Sequence, residues 1–405
     1  MSNAVKPVDV VLVGVGGYGH VYADAMLAGG EAHGARLVAV VDPFAEDASC
    51  IAEVRARGIP VYEHMDGCFA RHAVALAVIS SPIHLHSAQI QRALAGGAHV
   101  LCEKPASGSL DEGLQALAAS RAANRFVAIG YQWSFSEAIQ RLKRDLMAGR
   151  FGLPKRFRTL VLWPRMTSYY ERNAWAGRQL SDDGRPVFDS PANNACAHYL
   201  HNMFYLLGPT REQSARPASV EAELYRAKPI ENFDTAAIRC LTTTGAEVLF
   251  YTSHAVEATH GPLFTLECEA AVITGGGLEG EGCIEARCAD GEVIAYGLPD
   301  HSSTKLWESV DAVRSGAPVA CPLLAALSQT AVITAASQSP SAIVEFPKVM
   351  LETVEPKGQP GIVARGLSKA LVACHAQGLL PSQDTALTWA RPAEVVDTSA
   401  WLPAI

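Results

Sequence analysis

Three groups of residues in this chain have types and spacing that could do chemistry. The first is Glu103-Lys104-Pro105, which abruptly ends the mostly apolar run Ala98-His99-Val100-Leu101-Cys102. A charged pair is poorly placed for core packing there. At the carboxyl end of a buried strand, where open α/β sheets hold ligands, Lys104 reads as a catalytic residue, and Pro105 fixes the backbone as it turns away. The alternative is a surface lysine paired with Glu103. The second group is Gly14-Val15-Gly16-Gly17-Tyr18-Gly19, a G-x-G-x-x-G loop suited to cradling a pyrophosphate. The third runs from Asn193 to Asn202 and contains Asn194, His198 and His201. Helical spacing would put these polar side chains on one side, with His198 able to act as a proton carrier held by a partner one turn earlier. The competing reading of His198 is a satisfied core histidine.

The elements around these groups are those that would position them. Val8 to Val13 is a short apolar strand breaking into the glycine loop, and His20 to Ala28 has helical spacing. In that context Gly14 permits the tight turn, Gly16 lets the backbone approach a phosphate, and Gly19 lets the helix pack on the strand. The anion would sit at the helix N-terminus. The next strand, Arg36 to Val41, ends in Asp42, whose carboxylate can accept hydrogen bonds from ribose hydroxyls and would repel a 2′-phosphate. Pro43 to Asp47 offers no cation for such a phosphate, so NAD is favoured over NADP; Asp42 could equally cap a helix. Helices near 45–57, 85–94 and 109–124 then alternate with strands at 75–79, 98–101 and 126–129, which predicts a doubly wound parallel sheet. Ser80-Ser81-Pro82 lies at a strand's carboxyl end as a further cofactor-contacting loop. His84 and His86 form an H-x-H pair without a nearby Cys, Asp or Glu, so helix start and core packing are preferred to a metal site.

Beyond Gly130-Tyr131-Gln132 a second domain opens. A helix over 136–149 and a strand over 155–162 lead to an aromatic loop, Trp163, Tyr169, Tyr170 and Trp175, interleaved with Arg172, Asn173 and Arg178. Such faces suit a polyhydroxylated ligand, or they are ordinary packing at a domain junction. From Ser219 to Ala295 short β-rich runs separated by turn signals predict a large antiparallel or mixed sheet, with Gly275-Gly276-Gly277 as a hairpin connection. Helices near 305–314 and 323–336 and a strand at 342–345 follow, and the remaining residues form an extension with a helix over 367–377.

Composition bounds the function. At 405 residues two domains are expected, 49% of residues are hydrophobic, 18% are charged, and no window suits a membrane helix. A net charge of −8 and a pI near 5.9 argue against nucleic acid, and Lys155-Arg156-Phe157-Arg158 reads as a solvated strand face. The ten cysteines are scattered without a C-x-x-C pair or a secretory leader, so reduced thiols in a cytoplasmic protein are expected.

Taken together, the order of these motifs over roughly residues 7–345 resembles the glucose-fructose oxidoreductase and inositol dehydrogenase (Gfo/Idh/MocA) family. The resemblance rests on the glycine loop, Pro82-x-x-x-His86, Ala98-His99-Val100 running into Glu103-Lys104-Pro105, Gly130-Tyr131-Gln132, and a downstream helix bearing His198. It implies an α/β protein with a Rossmann domain at 7–130 and an α+β domain at 131–346, whose open, mostly antiparallel sheet covers the active site and forms the interface of a homodimer or homotetramer. The segment 347–405 lies outside it as a C-terminal extension. Cofactor contacts would come from Gly14, Gly16, Gly17, Tyr18, Gly19, Asp42, Ser81, Pro82, His86, Glu103, Lys104 and Pro105. Catalysis would be hydride transfer between a sugar or cyclitol carbon and C4 of the nicotinamide, with Lys104 polarising the substrate oxygen and His198 exchanging its proton. Tyr131, Trp175, Arg178 and His201 are candidate substrate contacts, and no metal is expected. One departure stands out: the family usually carries Asp four residues before the histidine, where this chain has Asn194, and Cys196 replaces a glycine. A neutral amide stabilises imidazolium less than a carboxylate does, which makes His198 a weaker proton acceptor. The other classes in view are a glycosidase or lyase using NAD transiently, and a non-catalytic nucleotide or sugar sensor.

Overall fold

The computed structural model describes residues 6–280, 282–300, 303–339 and 341–403. In chain order the first elements are β1 (Val8–Val13), α1 (Gly19–Gly29), β2 (Ala35–Val41), α2 (Ile51–Ala56), β3 (Val61–Tyr62), α3 (Met65–Phe69), β4 (Leu76–Ile79), α4 (His86–Ala95), β5 (His99–Cys102), α5 (Leu110–Ala123) and β6 (Val127–Ile129). There follow α6 (Glu137–Met147), β7 (Pro154–Leu162), α7 (Thr167–Glu171), α8 (Ala197–Leu206), β8 (Pro217–Arg226), β9 (Thr235–Thr242), β10 (Glu247–Ser253), β11 (His260–Cys268), β12 (Ala271–Gly276), β13 (Ile284–Cys288) and β14 (Val293–Gly297). The last are α9 (Thr304–Ser315), α10 (Leu323–Gln338), β15 (Val344–Glu345), β16 (Leu351–Val354), β17 (Gly361–Ala364), α11 (Leu367–Gln377) and β18 (Val395–Asp397). The chain divides into two compact units, residues 1–135 with 301–326, and 136–300 with 327–405.

The first unit is a six-stranded parallel sheet in the order β3-β2-β1-β4-β5-β6. β4 is a continuous apolar run and β1 is one from Val10 onward, as strands covered on both faces require. The chain leaves β1 toward β2 and β3, then returns to β4 on the other side. That reversal opens a crevice at the strands' carboxyl ends. Gly14 follows β1, Asp42 follows β2, Ser80 follows β4, Glu103 follows β5 and Gly130 follows β6, so the residues named from sequence gather along one end of the sheet. The helix expected over 45–57 is interrupted. The Asp42 carboxylate accepts from Phe44 N at 2.8 Å, a tight turn spans Ala45–Asp47, and Ala48 is extended before α2 begins.

The linear division at 131 and 346 assigns the wrong partner to α9. It packs against β1, β4 and β5 of the first unit with Leu306, Val310 and Ala312 buried. Helical period identifies an apolar face but not the sheet that receives it.

The second unit is built on a ten-stranded mixed sheet, ordered β14-β13-β12-β11-β7-β10-β9-β8-β15 with β18 also pairing β8. Its neighbours are antiparallel except β10 with β7 and β15 with β8. The extension is an integral part of this unit. Leu367, Leu371, Cys374, Leu380 and Trp389 share a core with Leu160, Leu162, Tyr225, Leu249 and Tyr251 on one sheet face. The two arginines of the basic run are neutralised internally: Arg156 pairs Glu247, and Arg158 pairs Glu267 while donating to the last carbonyls of α11.

Candidate active site

The glycine loop fits a dinucleotide's phosphates. Gly14 has φ +83°, and a Cβ there would lie 2.9 Å from the Ser80 carbonyl; one on Gly19 would lie 2.3 Å from Gly14 O. Both glycines are fixed by close backbone approach. Gly16 and Gly17 face open space, with nothing within 4 Å of a Cβ, so the surface that would meet a phosphate is bare backbone. No side chain caps the N-terminus of α1, which leaves its N–H groups and dipole available to an anion. The Asp42 carboxylate accepts from Val15 N at 2.9 Å and from Phe44 N, so it is locked beside the loop with lone pairs remaining for ribose hydroxyls. Its turn-forming and ribose-reading roles are compatible.

The Glu103-Lys104-Pro105 corner is held by a buried network. Glu103 Oε1 accepts from Tyr22 Oη at 2.6 Å and from Lys305 Nζ at 2.5 Å, and Glu103 Oε2 lies 3.2 Å from Lys104 N. Lys305 is only 2% exposed and also donates to Gly130 O at 3.3 Å; its ammonium lies 4.5 Å from the Tyr18 ring centre. Burial pushes the Glu103 carboxyl up, but Lys305, the Tyr22 hydroxyl and Lys104 overcome this and hold it below the ordinary carboxylate range. Glu103 is therefore a buried anion that fixes the backbone carrying Lys104. It is not the surface partner considered from sequence. Lys104 itself is half-buried, and its peptide bond to Pro105 is cis.

His86, named from sequence as a cofactor contact, is 1% exposed. Its ring nitrogens lie 2.8 Å from Pro105 O and 2.9 Å from Ser81 O, so it ties the loop after β4 to the loop after β5 and positions both. Burial lowers its pKa against the pull of the two carbonyls. Ser81 and Pro82 remain half-buried at the crevice end of β4, the Ser81 hydroxyl bonded to Gln89. Tyr131 is fully buried.

In the second unit, α8 is buried nearly all round although it carries His198, His201 and Asn202 among its apolar residues. Of its ten residues only His198 is not fully buried. Lys143 of α6 holds the far end, donating to Tyr205 O and Gln213 O and so placing a cation at the helix C-terminus. The helix starts at Ala197, later than the sequence pattern suggests. Asn194 precedes it in a turn closed by Asn194 N to Ser190 O and Cys196 N to Pro191 O. His201 lies in the core, stacked on Tyr205, and burial followed by Lys143 lowers its pKa to about 3. It is a neutral core histidine, which corrects its assignment to substrate.

Sequence reasoning missed Asp189. Its buried carboxylate accepts from Asn194 Nδ2 at 2.7 Å through Oδ1 and from Gly177 N at 2.6 Å through Oδ2. Facing an acceptor, Asn194 must turn its NH2 toward Asp189, which leaves Oδ1 as its own acceptor. The carboxylate that seemed lost at position 194 thus stands one residue behind it. Nothing in the local sequence marks Asp189, because the contact depends on the turn that brings 187–189 against 178–179. The aromatic loop packs beside α8, with Trp163 edge-on to Tyr199 at 5.6 Å. Trp175 lies 5.3 Å from the Arg172 guanidinium. Arg178 is engaged by Asp182 and Glu231, so it is less available to a ligand than its spacing implies. A cavity of about 340 Å³ in this unit, lined by Gln179, Arg226, Glu231, Asn232 and Ser337 among others, contains no candidate catalytic side chain. Among the described residues no group of three or more His, Cys, Asp or Glu could hold a metal.

A parallel sheet with this strand order, glycine loop and post-β2 aspartate defines a dinucleotide-binding α/β protein. Residues 8–131, a little under a third of the chain, match the oxidoreductase family with NAD-binding Rossmann fold, Gfo/Idh/MocA. The chain is 36% identical over 149 residues to inositol 2-dehydrogenase 1 of Saccharopolyspora erythraea, a match covering 36% of this chain and 43% of that protein. It is 24% identical over 198 residues to 2,7-anhydro-N-acetylneuraminate hydratase of Mediterraneibacter gnavus, covering 49% and 48%. The chain thus matches less than half the length of these relatives. The WlbA dehydrogenase of Bordetella pertussis, solved with NADH and UDP-GlcNAcA, shares the fold with a TM-score of 0.66 at 20% identity over 82% of this chain and 96% of that one.

Proposed function

We propose that the protein is an NAD-dependent dehydrogenase of a sugar, sugar derivative or cyclitol. The observation that carries the reading is the Lys104 corner, where a buried Glu103–Lys305 pair fixes a half-buried lysine at the end of β5 on the same sheet edge as the glycine loop. Bound nicotinamide would supply a hydride acceptor. Lys104 then polarises the substrate oxygen and stabilises alkoxide character, and His198 exchanges the hydroxyl proton, with Asn194 and Asp189 behind it. Asp42 supports NAD over NADP, because a 2′-phosphate would meet a carboxylate already locked in place. The similarity to inositol 2-dehydrogenase supports a polyol substrate.

The test is incubation with NAD and a panel of hexoses, amino sugars, uronates and cyclitols, following reduced nicotinamide by absorbance and sugar products by mass spectrometry. Sustained NADH formation supports the dehydrogenase. Sugar conversion without it supports a lyase or glycosidase with transient internal redox, a reading favoured by the similarity to the hydratase. NAD binding with no conversion supports a sensor.

A homodimer or homotetramer formed through the sheet would have to use its β12–β14 part, where Val272 and Val293 are exposed, because the extension covers the other part of the face. Light scattering on Val272→Asp should then report a smaller species than the wild type. None of the ten cysteines is in a disulfide, and among the described residues no helix is long and apolar enough to cross a membrane.

A further inference from the structure

We propose that the aromatic corner of the second unit binds an oxyanion on the substrate, a carboxylate or phosphate carried by the sugar, with Arg165 as its principal ligand. The proposal rests on the sugar-oxidoreductase reading above and narrows its substrate class.

Arg165 follows Trp163 at the end of β7, and its backbone N–H is pinned to His254 O at 3.1 Å. Its guanidinium lies 5.7 Å from the Trp163 ring centre and 5.2 Å from that of Tyr169. Among the described residues no carboxylate lies within ion-pair distance of it. Its one side-chain hydrogen bond, to Pro164 O, is stretched to 3.5 Å, and its buried Nε has no partner. Arg156, Arg158, Arg178, Arg226 and Arg239 in the same unit each have a carboxylate. A partly desolvated guanidinium without a counter-ion is unfavourable unless something completes it, and ring faces supply only part of that compensation.

The surroundings add charge of the same sign. Arg172 sits 3.8 Å from the Tyr169 ring centre on that same ring and 3.6 Å from Asp189 Oδ2, an oxygen already accepting from Gly177 N. That carboxylate is therefore already claimed by Arg172, Gly177 N and Asn194 Nδ2, and it does not answer Arg165. A second buried polar group is incompletely bonded: His254 is 1% exposed, its Nδ1 lies 2.9 Å from Tyr170 Oη, and its Nε2 has no partner. Burial, then Arg165, Lys228 and Arg172, hold that ring neutral, so it offers a hydrogen bond without further charge.

The chemistry that completes this set is a planar or tetrahedral oxyanion. A guanidinium fork donates two parallel hydrogen bonds to such a group, and the Trp163 and Tyr169 faces fix the fork's plane while covering the C–H face of a sugar ring. Trp163 packs on Tyr199, the neighbour of His198 in α8, so the oxyanion would be held beside the acid-base helix.

Calorimetric titration of the NADH-saturated protein tests this with D-glucuronate, D-galacturonate, glucose 6-phosphate and inositol 1-phosphate against glucose, galactose and myo-inositol, with inorganic phosphate as a control. At least one acidic sugar should bind about 30-fold tighter than its neutral parent, the expectation for a charge-assisted pair. Arg165→Met should abolish that preference while NADH binding is retained, and Arg165→Lys should restore part of it. If Arg165→Met fails to fold, Arg172→Gln serves as the second variant and should reduce the preference more weakly. The uronate and phosphate arms show which oxyanion is read. Equal binding of acidic and neutral sugars, an unchanged preference in Arg165→Met, or no binding of any acidic sugar would each overturn the proposal. A protein that binds an acidic sugar yet never reduces NAD keeps this subsite and loses the dehydrogenase reading. One that oxidises a neutral sugar equally well with Arg165→Met does the reverse.

Discussion

Glu103 in the first unit and Arg165 in the second are both charged and both drawn at least partly out of water, but the protein treats them oppositely. Glu103 is met by a lysine from α9, a tyrosine from α1 and the backbone of Lys104. Arg165 is met by two aromatic rings and a stretched bond to its neighbour's carbonyl. A fully answered charge is a structural fixture, set before any ligand arrives. An unanswered one is completed by what binds. One corner positions; the other, on the proposal above, recognises.

The largest effect should come from breaking the first corner. Lys305→Met strands the Glu103 charge and should lower unfolding free energy in urea by about 3–5 kcal/mol, with Glu103→Gln in the same chain recovering much of it. A loss below about 1 kcal/mol would mean that the pair is not the fixture. Because the Glu103 carboxyl is held below its usual value of 4.5, its contribution is complete above that pH and is lost as pH falls through the lower, folded value. Glu103→Gln should therefore flatten the acid limb of the stability curve.

A middle-sized effect belongs to Asn194. Asn194→Asp would set a second carboxylate 2.7 Å from the Asp189 oxygen that now accepts from the amide, so one of the two must rise in pKa. The acid limb of the turnover-pH profile should move upward by about 1–2 units. An unmoved profile would uncouple Asp189 and Asn194 from His198. The smallest effect concerns Asp42. Asp42→Asn keeps an acceptor for the loop but removes the charge facing a 2′-phosphate, and should raise the NADP-to-NAD ratio of kcat/KM about fivefold, the scale of one exposed charge pair.

How far these features could be read in the sequence follows from how local they are. The glycine loop, the apolar strands and the strand-end positions of Asp42 and Lys104 are set within a few residues, and each stands where the spacing puts it. Lys305 and Glu103 are 202 residues apart, and no periodicity links them. Asp189 and Arg165 owe their meaning to a turn and to the lack of a partner, neither of which a residue type reveals. His201 shows the converse: helical spacing set it beside His198, but a helix buried nearly all round turns one histidine outward and leaves the other in the core. The extension, without evident chemistry in sequence, proved to be sheet packing.

On the proposed reading, Lys104 acts in the chemical step on a backbone fixed in advance. The direct measurement is single-turnover hydride transfer at saturating NAD, wild type against Lys104→Met, with the NAD dissociation constant measured in parallel. The rate should fall by about 10²–10³, as when one preorganised donor to a developing oxyanion is removed, while NAD affinity changes less than about threefold. Comparable losses in rate and affinity would contradict it, making Lys104 a cofactor-binding residue and leaving the chemistry to others.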